Sequence, residues 1–345
     1  MRHNLNRIVF ALVAVLCAIG TSLPAMAATD YLYVPGVNNL YIIDCTTDTI
    51  VKTIKYNDYI VGCTPSPDGK RFYMNSWKSI YVVDTDKNEL IDKIDFFTDL
   101  NRVTIMPGIA VSADNKNLYM SVSITKKKLN IPRLNVLPPQ LIVYDLAKKA
   151  IAKSFEIPYC CNAVVTLRED PDNIMLMAQD IMKLNLKDGK MTKVLGVLHP
   201  DPGMPALNSL VIWNNWSPGD NGIFPNPAYS AENMYYTLID SKGKLTLLKA
   251  EEIVLMYSSV MSPDAKYIYG VMDEVYKVDA KTGKTLGMDV VARGTSYASA
   301  VTADGKKLYV GPAGPDISVY DTATMKSTGY ISLASDGVVM NRITK

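Results

Sequence analysis

The chain has 345 residues, 48% of them hydrophobic and 20% charged, with a formal net charge of +2. That apolar fraction is enough for a substantial core and excludes a disordered chain, while the balanced charge leaves no footprint for nucleic acid. With only two histidines, His3 and His199, a histidine-built metal centre, a catalytic triad and a C-x-x-C-H haem attachment are poorly supported or absent.

The first segment is a leader by its pattern. Arg2 and Arg7 flank a short basic region, Ile8 to Gly20 is almost wholly apolar, and Ala25-Met26-Ala27 is a small-x-small cleavage signal. This predicts a secretory signal peptide over residues 1–27, with a mature domain over 28–345. The apolar run is too short to span a bilayer comfortably and no second long apolar stretch follows. The mature chain is therefore expected in a periplasm, without a membrane anchor, and with His199 as its one histidine.

From residue 30 onward one phrase recurs seven times: an apolar strand ending in Asp or Asn, then a polar turn, then an amphipathic strand. The phrases end at Asp44, Asp84, Asp145, Asn185, Asp240, Asp279 and Asp321, at spacings of 40, 61, 40, 55, 39 and 42 residues. A period of about 40 to 50 residues built of strands is the mark of propeller blades, which cannot bury their apolar faces singly. A second phrase precedes the first in most units: Ser66-Pro-Asp-Gly69, Ser112-Ala-Asp-Asn115, Ser262-Pro-Asp264 and Thr302-Ala-Asp-Gly305. The Asp-Gly and Asp-Asn pairs predict tight turns between two strands. The fold class is therefore all-β, a seven-bladed propeller of four-stranded antiparallel blades. The first unit lacks its Ser-x-Asp-Gly strand, whereas the chain ends with Ser335-Asp-Gly337 and an apolar run to Ile343. The C-terminal segment is expected to complete the first blade and close the ring.

Two units break the period, the first by an insertion inside one blade over Ser123 to Gln140, whose Lys126-Lys-Lys128 cluster reads as a solvated loop tip. The second is the irregular stretch from His199 to Pro227, which contains Trp213, Asn214, Trp216 and Phe224. Long loops on a rigid scaffold are where specificity resides. The segments that enter the innermost strands should ring one mouth of the channel, bringing in Cys160-Cys161-Asn162, Trp213-Asn214, Tyr257 and Tyr297. That set is aromatic, small and neutral, without the carboxylate and histidine cluster of a catalytic metal site. Trp213 and Trp216 either cover a blade face or wall a pocket, and the tyrosines of the repeat phrases read as core. Of the four mature cysteines, Cys45 and Cys63 permit a disulfide that sequence alone does not require. Cys160 and Cys161 are open to a strained vicinal ring, two thiols or a soft-metal pair; strand alternation would bury one and expose the other.

Three stretches, Ser209 to Ser230, Met256 to Pro263 and Asp316 to Thr324, resemble the β subunit of quinohaemoprotein amine dehydrogenase, most specifically in Val211-Ile-Trp-Asn214 leading to Pro227-Ala-Tyr229. The resemblance implies a seven-bladed propeller with no cofactor of its own. Its partners would be a small γ subunit bearing cysteine tryptophylquinone and an α subunit carrying two c-type haems, together oxidising primary amines to aldehyde and ammonia. From their place in loops and at the channel mouth, Trp213, Asn214, Trp216, Phe224 and Tyr257, with Tyr297 beside them, are expected to face the quinone subunit or the amine. Three alternatives stay open: a heavy chain similar to that of methylamine dehydrogenase, a non-redox periplasmic binding propeller, and a lactonase-like hydrolase.

Overall fold

In the computed structural model, which describes residues 28–209, 221–291, 293–311 and 313–345, every regular element is a strand. The predicted leader, 1–27, lies outside the described residues. Seven antiparallel sheets follow one another around a ring, six of them four-stranded and the third carrying a fifth strand. In blades two, three, six and seven the Ser-x-Asp phrase, or its Thr-x-Asp variant, joins the first two strands, with Gly, Asn or Ala in the fourth place, as in Gly62–Pro65 to Arg71–Asn75 and Ser258–Met261 to Tyr267–Val271.

The turn chemistry explains why the phrase recurs. Ser66, Ser112, Ser262 and Thr302 each donate from the hydroxyl to the Asp two residues on, at 2.6 to 2.7 Å. The same oxygens accept an amide from the start of the next strand at 2.9 to 3.0 Å. Gly69, Asn115, Ala265 and Gly305 then take positive φ of 70°, 60°, 58° and 72°, which Gly and Asn tolerate best. The Ser262 hydroxyl, and after it Lys266, hold the Asp264 carboxyl down to about 2. Its contribution to stability is therefore present above the usual carboxylate value and is lost only as pH falls toward 2.

The core is distributed between blades. Seven apolar clusters of described residues lie one at each junction, including the junction of blade seven with blade one. Repeat tyrosines bolt these junctions, as their phrase predicts. Tyr33 of blade one donates to Asn88 of blade two at 2.7 Å, and Tyr309 of blade seven reaches the Cys45 carbonyl of blade one at 3.2 Å and Asp48 at 2.5 Å.

Ring closure follows the expectation, with a change in detail. The C-terminal strand Asn341–Thr344 is the innermost strand of blade one and pairs with Asp30–Pro35 in the register Asp30↔Thr344 to Tyr33↔Asn341. Thr29 and Lys345 exchange amide bonds at 2.7 and 2.9 Å, and Arg342 pairs with Asp30 at 2.8 Å. Thr29 and Lys345 thus stand where the other blades place the Ser-x-Asp-Gly turn. Ser335-Asp-Gly337 instead lies at the opposite end of the strand. There Val37 donates to the Asp336 carbonyl at 2.8 Å, and a Cβ on Gly36 would lie 2.7 Å from the Ser335 Oγ.

The Cys45–Cys63 disulfide does not form. Cys45 points into the cluster between blades seven and one, Cys63 into the cluster between blades one and two, and the sheet of blade one stands between the two thiols. Both irregular stretches are also more regular than the sequence suggested. Residues 123–127 continue the second strand of blade three, paired with 101–104, and Leu134–Val136 adds a short strand beside them. Phe224–Tyr229 is the second strand of blade five despite Pro225 and Pro227. Residues two apart direct their backbone groups to the same side, so the two missing amides weaken only one ladder.

Deleting Asn341–Lys345 should cost about 4 kcal/mol or more, from the buried Ile343 and the exposed edge it leaves. We expect denaturant unfolding to become broad and the hydrodynamic radius to grow, whereas a sharp transition at the full-length midpoint would contradict the closure.

Candidate functional site

Six of the seven innermost strands are described past their first two residues, and they run in a common sense, from an entry face to the exit face where the Ser-x-Asp-Gly turns lie. The entry face collects the segments that lead into these strands and the loops joining the second and third strands.

Tyr257 and Tyr297 meet there. They precede the inner strands of blades six and seven, and their rings pack edge to face at 5.3 Å and 64°, an arrangement that aromatic quadrupoles favour. Tyr297 also packs on the cluster between blades one and two. Tyr59, which leads into blade two, has its phenol pushed up by burial and then by the adjacent Tyr297 and Asp336. Tyr59 thus stands near the Tyr257–Tyr297 pair at the mouth. Among the described residues, the exposed aromatics are Tyr59, Trp77, Tyr159 and Tyr330. The first three stand on the entry face; Tyr330 lies on an outer strand beneath Arg293, 4.2 Å from its ring. Tyr59, Trp77 and Tyr159 were not singled out from the sequence, and their sole signal is position, immediately before an inner strand or in a loop between second and third strands.

The other expected site residues separate. Phe224 is not at the mouth: it is buried in the cluster between blades four and five, at the exit end of its strand. An apolar ring that begins a central strand goes to the interblade core because the pleat directs it there. Trp213, Asn214 and Trp216 lie outside the described residues; the inner strand of blade five is entered at Asn208–Ser209.

Cys160 and Cys161 divide into one exposed and one buried thiol, as expected but for another reason. They sit in a turn in which Cys160 adopts φ 58°, so backbone reversal rather than strand alternation separates them. Burial pushes the thiols of Cys45, Cys63 and Cys161 up to about 12. His199 is also on the entry face, with Nδ1 2.9 Å from Asp180. Asp180 also accepts the amides of Val197 and His199 at 2.8 and 3.1 Å, so the pair clamps a loop.

Two polar atoms, Asn75 Oδ1 and Ser258 Oγ, are buried without a protein partner at the entry end of their strands. Among the described residues no group of three His, Cys, Asp or Glu side chains is arranged to hold a metal ion. A cavity of about 670 Å³ opens at the exit end, lined by Thr64, Thr166, Met261, Val301 and Arg342 among others. Chemically, then, the entry face offers aromatic surface for stacking and packing.

No family model matches the chain, and no curated protein matches it. Solved structures do. A functionally unknown protein from Desulfotomaculum acetoxidans DSM 771 superposes with TM-score 0.60 at 12% identity, over 89% of this chain and 97% of that one. Dihydro-haem d1 dehydrogenase NirN in complex with DHE gives 0.58 at 13%, over 94% and 77%. Apo AztD from Citrobacter koseri gives 0.57 at 12%, over 92% and 99%. The likeness is one of fold.

Thiol titration checks the cysteine geometry. The folded mature chain should react with Ellman's reagent at Cys160 alone, and at all four cysteines in denaturant. Two fewer thiols under denaturing, non-reducing conditions would restore a disulfide and contradict the placement of Cys45 and Cys63.

Proposed function

We propose that this chain is the exported propeller subunit of a quinohaemoprotein amine dehydrogenase, whose chemistry resides on partner subunits. The observation that carries the reading is the uneven distribution of aromatic surface: Tyr59 and the Tyr257–Tyr297 pair, with Trp77 and Tyr159, are confined to one face of the ring. Exposed aromatic side chains concentrated beside a mouth suit the packing of a partner or of a flat ligand, because they bury much area at little entropic cost. The choice of partner comes from the sequence likeness over Ser209 to Ser230, Met256 to Pro263 and Asp316 to Thr324.

In this reading the small subunit seats its cysteine tryptophylquinone over the mouth. The quinone takes the primary amine, and the haems of a third subunit carry the electrons away. Tyr257 and Tyr297 exclude water and orient the amine substituent. The predicted leader places the assembly in the periplasm.

Purifying the tagged mature chain from its native periplasm tests this. Recovery with a haem-staining band, a small quinone-staining band and amine-dependent dye reduction is expected. A lone, colourless chain would overturn the reading and leave a binding propeller without redox partners.

A further inference from the structure

The insertion in blade three builds an arm. Strands Asn101–Val111 and Asn117–Lys127 pair through the blade as far as Ile109↔Met120, pass a bulge at Met106 to Gly108, and pair again from Ile105↔Val122 to Asn101↔Lys126. Leu134–Val136 adds on the other side, from Leu134↔Lys127 to Val136↔Thr125. The blade proper ends at Val122, where the third strand begins at Gln140. Five more residues, 123–127, therefore carry the arm roughly 16 Å beyond it at about 3.3 Å per residue. The bulge marks the departure, as bulges do where a strand must bend. The arm rises from the entry face, since it precedes the inner strand of its blade.

The base of the arm is fixed and its tip is not covered. Val103 and Ile124 pack with Phe96 against the cluster between blades two and three. Beyond them Leu129 is 81% exposed and Leu134 and Val136 are 65% exposed, with Leu100 and Ile131 also exposed. Interleaved with these are Arg102, Lys126, Lys127, Lys128 and Arg133, all exposed; no acidic residue occurs in 100–105 or 122–138. None of the five cations forms an ion pair among the described residues. Arg102 alone is engaged, over the Phe97 ring at 5.7 Å.

We infer that this arm is the docking element for an acidic protein, which covers its aliphatic tip and neutralises its five cations. A predominantly basic patch around exposed aliphatics, with Asp99 its one flanking carboxylate, steers a partner of opposite sign and then holds it by burial. A bilayer is disfavoured as the occupant on two grounds. The arm is an open three-stranded sheet, and lipid cannot satisfy the outer backbone groups of its edge strands. The tip also lacks the tryptophan and tyrosine that anchor proteins at membrane interfaces. The inference goes beyond the amine dehydrogenase reading and holds for any chemistry the partner performs.

The test is site-specific photo-crosslinking of the full chain in its native periplasm, with benzoylphenylalanine at Leu134 and, as a control on the exit face, at Asp86. At Leu134 we expect one discrete adduct, which mass spectrometry assigns to a protein with an acidic surface; Asp86 gives none. The adduct should fall about tenfold or more in the K126E/K127E/K128E variant and at 0.5 M salt, where screening shortens electrostatic reach to a few ångströms. Leu134 in the L129S chain should also crosslink less, and circular dichroism together with the native thiol count shows whether each variant is folded. Four outcomes would overturn the inference: no discrete adduct, an adduct that survives charge reversal in a folded variant, an adduct between two copies of this chain, and charge-dependent cosedimentation of the purified chain with phosphatidylglycerol vesicles.

Discussion

The structure depends on the pairing of the last strand with the first. Every blade buries its apolar faces against two neighbours, so a break anywhere exposes two sheet faces. The chain closes its ring at blade one by setting Asn341–Thr344 beside Asp30–Pro35 and bolting blade seven to blade one. That junction combines the Tyr309 bonds to Cys45 and Asp48 with Lys307 at 2.8 Å from Asp48. The cluster between them holds Leu32, Tyr41 and Ile43 against Ala300, Tyr309 and Ile317. Strand pairing, buried phenols and apolar packing thus converge where the covalent chain is discontinuous.

Closure fixes a common sense for the inner strands and so makes the two ends of the ring different. The exit end is built from repeated turns and the pairing of Thr29 with Lys345, and its side chains are largely occupied with one another: hydroxyl to carboxylate in each turn, Arg342 to Asp30. The entry end is free of that repeated chemistry. There the chain places Tyr59, Trp77, Tyr159 and the Tyr257–Tyr297 pair, and from there the basic arm of blade three projects. A rigid ring with one self-satisfied face and one aromatic, partly basic face is suited to hold another protein in register. Its likeness to solved structures at 12–13% identity is one of fold.

Much of this was legible in the residues. The terminal Asp or Asn of each third strand and the Ser-x-Asp-Gly phrase report local turn chemistry, so they survive as sequence signals and locate every blade. The missing strand of the first unit, with a spare apolar run after Gly337, announced the closure. What failed depends on long-range placement. Cys45 and Cys63 lie close in sequence, yet one sheet separates them. Phe224 sits in a proline-rich stretch that reads as a loop but takes a strand register, which sends its ring into the core. The Lys126-Lys-Lys128 cluster is solvated as it reads, but the insertion over Ser123 to Gln140 gave no sign of the strands that Val103 and Ile124 anchor against Phe96. Tyr59, Trp77 and Tyr159 carry no pattern, for an exposed ring at a mouth looks the same in sequence as any other loop residue.

The central claim is that the entry face carries the partner. Hydrogen–deuterium exchange, comparing the isolated chain with the chain in its purified native assembly, tests it most directly. The account predicts added protection in the segments around Tyr59, Trp77, Tyr159, Tyr257 and Tyr297 and along residues 100–105 and 123–137, with the Ser66, Ser112, Ser262 and Thr302 turns unchanged. Protection confined to those exit-face turns would contradict it.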